Sequence, residues 1–408
     1  MMEKERIVER LRENLENGIR QGIFPGGVTS LTVGSEPPMI VASGAVEAGE
    51  QAQPASERIV YDMASLTKVM VTLPLVLISV QKGKLSLTDP LITYVPELEA
   101  GQDTVRKRKI TLLHLLTHTS GLPAWRPYFI LGQGREAYLR LLADEKLMGV
   151  PGEQAVYSDL GFMLLGFVLE RIWDEELSRL AQRLIFQPSG MTMTTYKPLA
   201  AGIAAELIAP TEDGNGYELE MVRQQIVQAS STGHPSAAIW QECLDRFVWR
   251  KGIIRGTVHD GNCCYGLGGV SGHAGLFSTI GDVERYMLIW TSKEAEVRLD
   301  PVLRAHATRC YTGPFAPKRA MGWEASATVG TLEQTAAGCS GGDLLSAAAY
   351  GHTGFTGTSV WHDPLRSATL ITLTNRVHPT VSNRMGEWRK SHHNSVFSLV
   401  TPSLREER

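Results

Sequence analysis

A stretch from 69 to 80, Val69-Met70-Val71-Thr72-Leu73-Pro74-Leu75-Val76-Leu77-Ile78-Ser79-Val80, is apolar almost all round a helical projection. A helix of that kind is buried. It is too short, and too interrupted by Pro74, to cross a bilayer. Near the amino terminus Ile7, Leu11 and Ile19 share one side of a charged segment, which predicts an amphipathic helix. Segments 28–33 and 38–43 read as two strands joined by the turn-prone Gly34-Ser35-Glu36-Pro37, and 344–350, 357–362 and 368–374 as three more. Short Gly-rich and Asp363-Pro364 connections favour antiparallel pairing. Helical patterns at 85–98, 109–118, 134–146, 159–173, 176–186 and 281–292 lie between, and 383–400 reads as a closing helix with Met385, Trp388 and Phe397 as its apolar contacts. β signal at both ends around a helical middle predicts an α/β chain of α+β type, with the middle as an insertion.

At 408 residues the chain can bury a substantial core, as one large domain or two interleaved ones. Forty basic and 43 acidic side chains leave a net charge of −3, so no basic face for nucleic acid and no acidic tail is implied. Five cysteines, odd in number and without a C-x-x-C spacing, suggest free thiols in a reducing compartment. Met1-Met2-Glu3-Lys4-Glu5-Arg6 lacks the apolar core of a signal peptide, so a cytoplasmic location is expected.

Ser65-Leu66-Thr67-Lys68 sets a hydroxyl and an amine three residues apart where the apolar helix begins, so one turn holds both together. Burial would lower the lysine's pKa from about 10.4, and a neutral amine could then take the serine proton as the hydroxyl attacks a carbonyl. The same spacing also fits a capping serine with a solvated lysine. It needs partners.

Tyr157-Ser158-Asp159 supplies one, sitting between the loop Pro151-Gly152-Glu153 and a helix-like run. A phenol delivered beside Lys68 would exchange protons with the serine and a leaving group. Alternatively, Tyr157 anchors the loop and Asp159 caps the helix. The third cluster, Gly351-His352-Thr353-Gly354-Phe355-Thr356-Gly357, has glycines that let a substrate lie against a strand edge. A backbone N–H there would join that of Ser65 in an oxyanion hole. Glycines on an edge strand equally mark a bulge.

Taken together, in this order and at these separations, the three clusters resemble those of the class C β-lactamase, D-alanyl-D-alanine peptidase and family VIII carboxylesterase superfamily of serine hydrolases. The segments His114-Leu115-Leu116-Thr117-His118-Thr119-Ser120-Gly121-Leu122-Pro123, Gly272-His273-Ala274-Gly275-Leu276-Phe277-Ser278-Thr279 and 351–364 extend the likeness over about 24–379. The resemblance implies an antiparallel sheet flanked by terminal helices, with an all-helical lobe inserted and the active site in the cleft between. On that fold 1–63 and 293–408 form the sheet region and 64–292 the mainly helical one. Ser65 then matches the nucleophile, Lys68 its base, and Tyr157 the proton-sharing tyrosine. His352-Thr353-Gly354 matches the lysine-threonine-glycine strand, the backbone of Phe355 matches the second oxyanion donor, and Asp159 stands where asparagine is usual.

Two departures bear on substrate. Histidine at 352 removes a permanent cation that would hold a substrate carboxylate. Asp159, when ionised, only accepts hydrogen bonds, which weakens recognition of a substrate acylamide. The reading is therefore a serine hydrolase of small carboxylic esters through an acyl-enzyme on Ser65, with weak β-lactam hydrolysis on the side. A D-alanyl-D-alanine-type peptidase or peptidoglycan-fragment amidase, and a catalytically silent ligand-binding homologue, are its alternatives. A small-molecule ester or amide is the expected partner; no cofactor, metal, membrane or nucleic acid is called for.

Other patterns compete. Gly338-Cys339-Ser340-Gly341-Gly342 fits G-x-S-x-G but lacks the strand-turn-helix setting of a nucleophile elbow. Gly132-Gln133-Gly134-Arg135 imitates a dinucleotide fingerprint without a βαβ unit. His114 and His118 have metal-ligand spacing without a catalytic glutamate, and His259-Asp260 lies near Cys263 and Cys264, whose sulfurs form no chelating pair. Trp125, Trp323 and Trp361 suit either a pocket or the core, and Arg376 either an anionic substrate or a solvated strand end.

Overall fold

The computed structural model describes all residues except 1, 50, 51, 232–235, 314, 316, 327–338 and 403–408. Among the described residues nine strands form two antiparallel sheets: β1 (Gly26–Val33), β2 (Met39–Gly44), β3 (Tyr61–Asp62), β4 (Thr195–Tyr196), β5 (Leu276–Ser278), β6 (Glu324–Ala325), β7 (Tyr350–Thr353), β8 (Ser359–Asp363) and β9 (Ala368–Thr374). The larger sheet runs β2-β1-β9-β8-β7-β6 and the smaller β3-β5-β4. Opposite ends of the chain meet inside the larger sheet, where β1 pairs with β9 from Gly27 opposite Thr374 to Val33 opposite Ala368.

Alternation along the strands divides the core in two. Leu31, Trp361 and Leu370 face the terminal helices Met2–Arg20 and Met385–Phe397, packing with Leu11, Leu15, Trp388 and Phe397. Val28, Tyr350, Val360 and Ile371 face the other way, into a large core shared with the helices Leu73–Gln81, Asp159–Trp173 and Ile280–Thr291. His352 follows Tyr350 by two residues and so shares that second face.

Several predicted elements differ. Pro90 and Pro96 break 85–98 into the short turns Leu91–Thr93 and Pro96–Ala100, because proline lacks the N–H a helix needs. The strand expected over 344–350 begins only at Tyr350, since the Asp363 carboxylate accepts Ser346 N–H at 3.0 Å and Ser346 Oγ at 2.5 Å and bends the chain. The apolar run is helical throughout, a wide turn over Lys68–Thr72 running directly into the helix Leu73–Gln81, with Pro74 just past the junction. Helices Gly216–Ser231 and Ser236–Arg246 lie outside the helical patterns read from sequence. Among the described residues no helix is long and apolar enough to cross a membrane, and the five thiols are free.

Candidate active site

β3 leads through Met63 and Ala64 to Ser65, and Ala64 adopts a left-handed conformation with φ 46°, which side-chain-bearing residues avoid. Surrounding bonds hold it there. Ala64 N–H donates to Asp62 Oδ1 at 2.9 Å, Thr67 Oγ1 to the Ala64 carbonyl at 2.7 Å, and Met63 N–H to the Leu276 carbonyl at 2.8 Å. The chain thus turns sharply into the Lys68 turn, and Lys68 Nζ donates to Ser65 Oγ at 2.9 Å.

Lys68 has no exposed surface. Its ammonium also donates to the His273 carbonyl at 3.2 Å, lies 4.8 Å from the centre of the Tyr157 ring, and stands 2.7 Å from Asp159 Oδ1. Asp159 is free for this contact because Ser158 is the helix cap: Ser158 Oγ accepts the Gly161 N–H at 3.4 Å and donates to the Pro123 carbonyl at 2.6 Å. Burial alone would lower the lysine's proton affinity, but the Asp159 carboxylate and the Tyr157 phenol outweigh it and the net direction is upward. The resting amine is therefore a cation, contrary to the neutral base expected from sequence. Burial raises the Tyr157 pKa, with Lys68 pulling it down and Asp159 pushing it up, so the phenol keeps its proton at neutral pH. Its buried hydroxyl interacts with Lys68 and Ser65.

The loop after β7 is locked onto the serine turn. Thr356 Oγ1 donates to the Asp62 carbonyl at 2.6 Å and Thr358 Oγ1 to that of Met63 at 3.2 Å. A Cβ on Gly354 would fall 2.6 Å from the Met63 carbonyl oxygen and 2.1 Å from Thr358 Oγ1, so only glycine permits this approach. The approach brings Phe355 to the cleft beside Ser65, with neither backbone N–H committed to a backbone acceptor among the described residues. Thr353 lines the same cleft. His352 is buried, its Nδ1 2.8 Å from the Thr353 carbonyl, which makes Nδ1 the donor and leaves Nε2 an unpartnered acceptor among the described residues. Burial, then Arg319 and Lys68, hold its pKa well below the usual histidine value. His352 is therefore neutral.

These groups open into a cleft of about 470 Å³, within the usual range for small-molecule sites. Trp125, Tyr217, Met221 and Phe355 give it an apolar wall. Arg319 lies against the Tyr157 ring at 4.9 Å and has no ion pair among the described residues. Glu218, Asp260 and His273 close another side; burial and the nearby Asp260 keep Glu218 protonated well above the usual carboxylate range. Asp159, Asp260 and His273 bring ligand atoms within 4.8 Å of one another. Within that group the Lys68 ammonium stands 2.7 Å from Asp159 Oδ1, and Asp260 Oδ1 lies 3.0 Å from His273 Nε2.

With that geometry in hand, residues 11–394 match the sequence profile of the Beta-lactamase family. The chain belongs to this family. A protein of Escherichia coli (strain K12) named "Putative D-alanyl-D-alanine carboxypeptidase" is 30% identical over 348 residues, covering 82% of this chain and 73% of that protein. Among solved structures, EstCE1, described as a hydrolase with promiscuous acyltransferase activity, superposes with a TM-score of 0.71 at 19% identity, covering 97% of this chain and all of its own. A class C beta-lactamase gives 0.69 at 16% identity, over 99% of this chain and 98% of that one. The antiparallel sheets and helical packing of this Beta-lactamase-family chain are thus the fold that the motifs implied.

Of the residues singled out from sequence, Ser65, Lys68, Tyr157, Asp159, His352, Thr353, Gly354 and Phe355 converge on one place. Arg319, Glu218 and Met221 were missed. The turn Asp213-Gly214-Asn215-Gly216 before Glu218 was the available sign of a helix start; Arg319 had none. The competing patterns resolve plainly. Gly338 lies outside the described residues, and Ser340 is held by Glu324, its Oγ donating at 2.8 Å. His118 accepts the Ser158 N–H at 3.0 Å and packs on Tyr157, supporting the site from behind. His259 pairs with Glu212 at 2.9 Å and stacks on Phe355. Trp323 and Trp361 are core, and Arg376 braces Phe355 by donating to its carbonyl at 2.7 Å.

Proposed function

We propose that the chain is a serine hydrolase that forms an acyl-enzyme on Ser65 and takes substrates bearing a carboxylate near the scissile carbonyl, of the D-alanyl peptide type. Ser65 Oγ attacks the carbonyl, its proton leaves through Lys68, and the N–H groups of Ser65 and Phe355 receive the oxyanion. Tyr157, whose buried hydroxyl interacts with Lys68 and Ser65, protonates the leaving group, and water then releases the acid. The observation that carries the substrate class is Arg319, a cation in the cleft wall without a carboxylate partner among the described residues. It restores the positive charge that histidine at 352 removes. The names carried by relatives at 30% identity point the same way.

Hydrolysis of small carboxylic esters is the second reading. The apolar wall of Trp125, Tyr217, Met221 and Phe355 favours it, because a neutral acyl chain is held there without help from Arg319. Comparing kcat/KM for a D-Ala-D-Ala-terminated peptide, short-chain p-nitrophenyl esters and nitrocefin decides between them. Faster turnover of the peptide supports the carboxylate reading; turnover of the esters alone reverses the order.

A further inference from the structure

The serine and the aspartate approach the same ammonium. Lys68 Nζ is 2.9 Å from Ser65 Oγ and 2.7 Å from Asp159 Oδ1, and its third short contact is a peptide carbonyl, that of His273, which cannot accept a proton permanently. An ammonium has no lone pair, so a lysine resting as a cation cannot receive the serine proton until it has released one of its own. Asp159 Oδ1, buried and 2.7 Å from the ammonium, is the carboxylate acceptor within reach.

Resting on the acyl-enzyme reading, we infer that Asp159 is the proton acceptor for Lys68, so that serine, lysine and aspartate work as a relay. As the Ser65 oxygen–carbon bond forms, an Nζ proton passes to Asp159 Oδ1, the Ser65 hydroxyl proton passes to Nζ, and the carbonyl electron pair moves to oxygen. The products are a lysine ammonium, a protonated Asp159 and the oxyanion. Protons and charge balance without any outside reactant. When the tetrahedral adduct collapses, the Asp159 proton returns through Lys68 and Tyr157 to the leaving group. Asp159 acts through Lys68 and touches no reacting atom, so it is a positioning residue. The other ionisable groups around the ammonium are Tyr157 on the preceding loop, Asp260 and His273 on the segment across the cleft, His118 and His352 behind the phenol, and Arg319 on the outer wall.

The test is the pH profile of Ser65 acylation by a fluorophosphonate probe, followed by intact mass, in the wild type, Asp159→Asn and Asp159→Glu. A lysine–aspartate pair that keeps one shared proton inventory gives a wild-type rate changing less than about twofold between pH 6 and 8. Asp159→Asn must wait for a neutral lysine, so its rate should fall about tenfold to a hundredfold from pH 8 to 6, and Asp159→Glu should recover the flat profile. Parallel profiles in wild type and Asp159→Asn overturn the relay. A rate in the wild type that itself climbs about tenfold over that range does so too, because Asp159 is then a bystander. Wild-type protein that never takes label on Ser65 overturns the acyl-enzyme reading beneath it. Each protein is assayed at a temperature where circular dichroism shows it folded, so that any difference in profile is not loss of fold.

Discussion

Lys68 and Asp159 form an ion pair of 2.7 Å in which the lysine has no exposed surface and the aspartate side chain keeps only 18% of its own. Such a pair is costly to break on one side, since the remaining charge stays buried. Lys68→Met should therefore destabilise the protein by about 3 kcal/mol. The double variant Lys68→Met with Asp159→Asn should regain most of that, because neither charge is left alone. Urea unfolding of the four proteins measures the coupling; additive losses would contradict a pair.

Arg319→Ala should raise KM for a carboxylate-bearing substrate about tenfold to a hundredfold while changing kcat/KM for a neutral p-nitrophenyl ester less than about twofold. Steady-state kinetics on the two substrates separate the effects. Equal losses on both would assign Arg319 to packing against Tyr157 instead.

Gly354→Ala puts a methyl group where the Met63 carbonyl and Thr358 hydroxyl already stand, so the loop must retreat from the serine turn. Removing one oxyanion donor costs about a hundredfold to a thousandfold in kcat. Acylation of Gly354→Ala should fall by that order with the fold intact by circular dichroism. An unchanged acylation rate would remove the Phe355 N–H from the oxyanion hole.

Burial lowers the pKa of His362 to about 4, with the Asp363 charge opposing. The unfolded chain titrates near 6.5, so the stabilisation is complete above that value and is lost as pH falls toward about 4. Between pH 7 and 5 this single group removes about 2 kcal/mol. His362→Gln should show a correspondingly shallower loss of stability over that interval. An identical slope in both proteins would place the imidazole in contact with water.

The positions of Ser65, Lys68 and Tyr157 were legible because each sits at a local punctuation: the start of an apolar helix, or a loop ending in the Ser158 cap. The strands at 28–33, which the structure extends back to Gly26, and 368–374 were legible because β-branched runs between turns leave few alternatives. Charge states were not. The protonation of Lys68 depends on a carboxylate 91 positions along the chain, and the neutrality of His352 on burial beside Arg319. Sequence spacing carries no distance between such groups. Arg319 escaped notice for the same reason: it enters the cleft from an irregular segment, and only packing against Tyr157 marks it.

The decisive measurement is the site of covalent labelling. Incubation with a fluorophosphonate, followed by intact mass and peptide mapping, should give one adduct per chain on Ser65 and none in Ser65→Ala. No adduct, or an adduct on another residue such as Ser340, would contradict the assignment of Ser65 as the nucleophile.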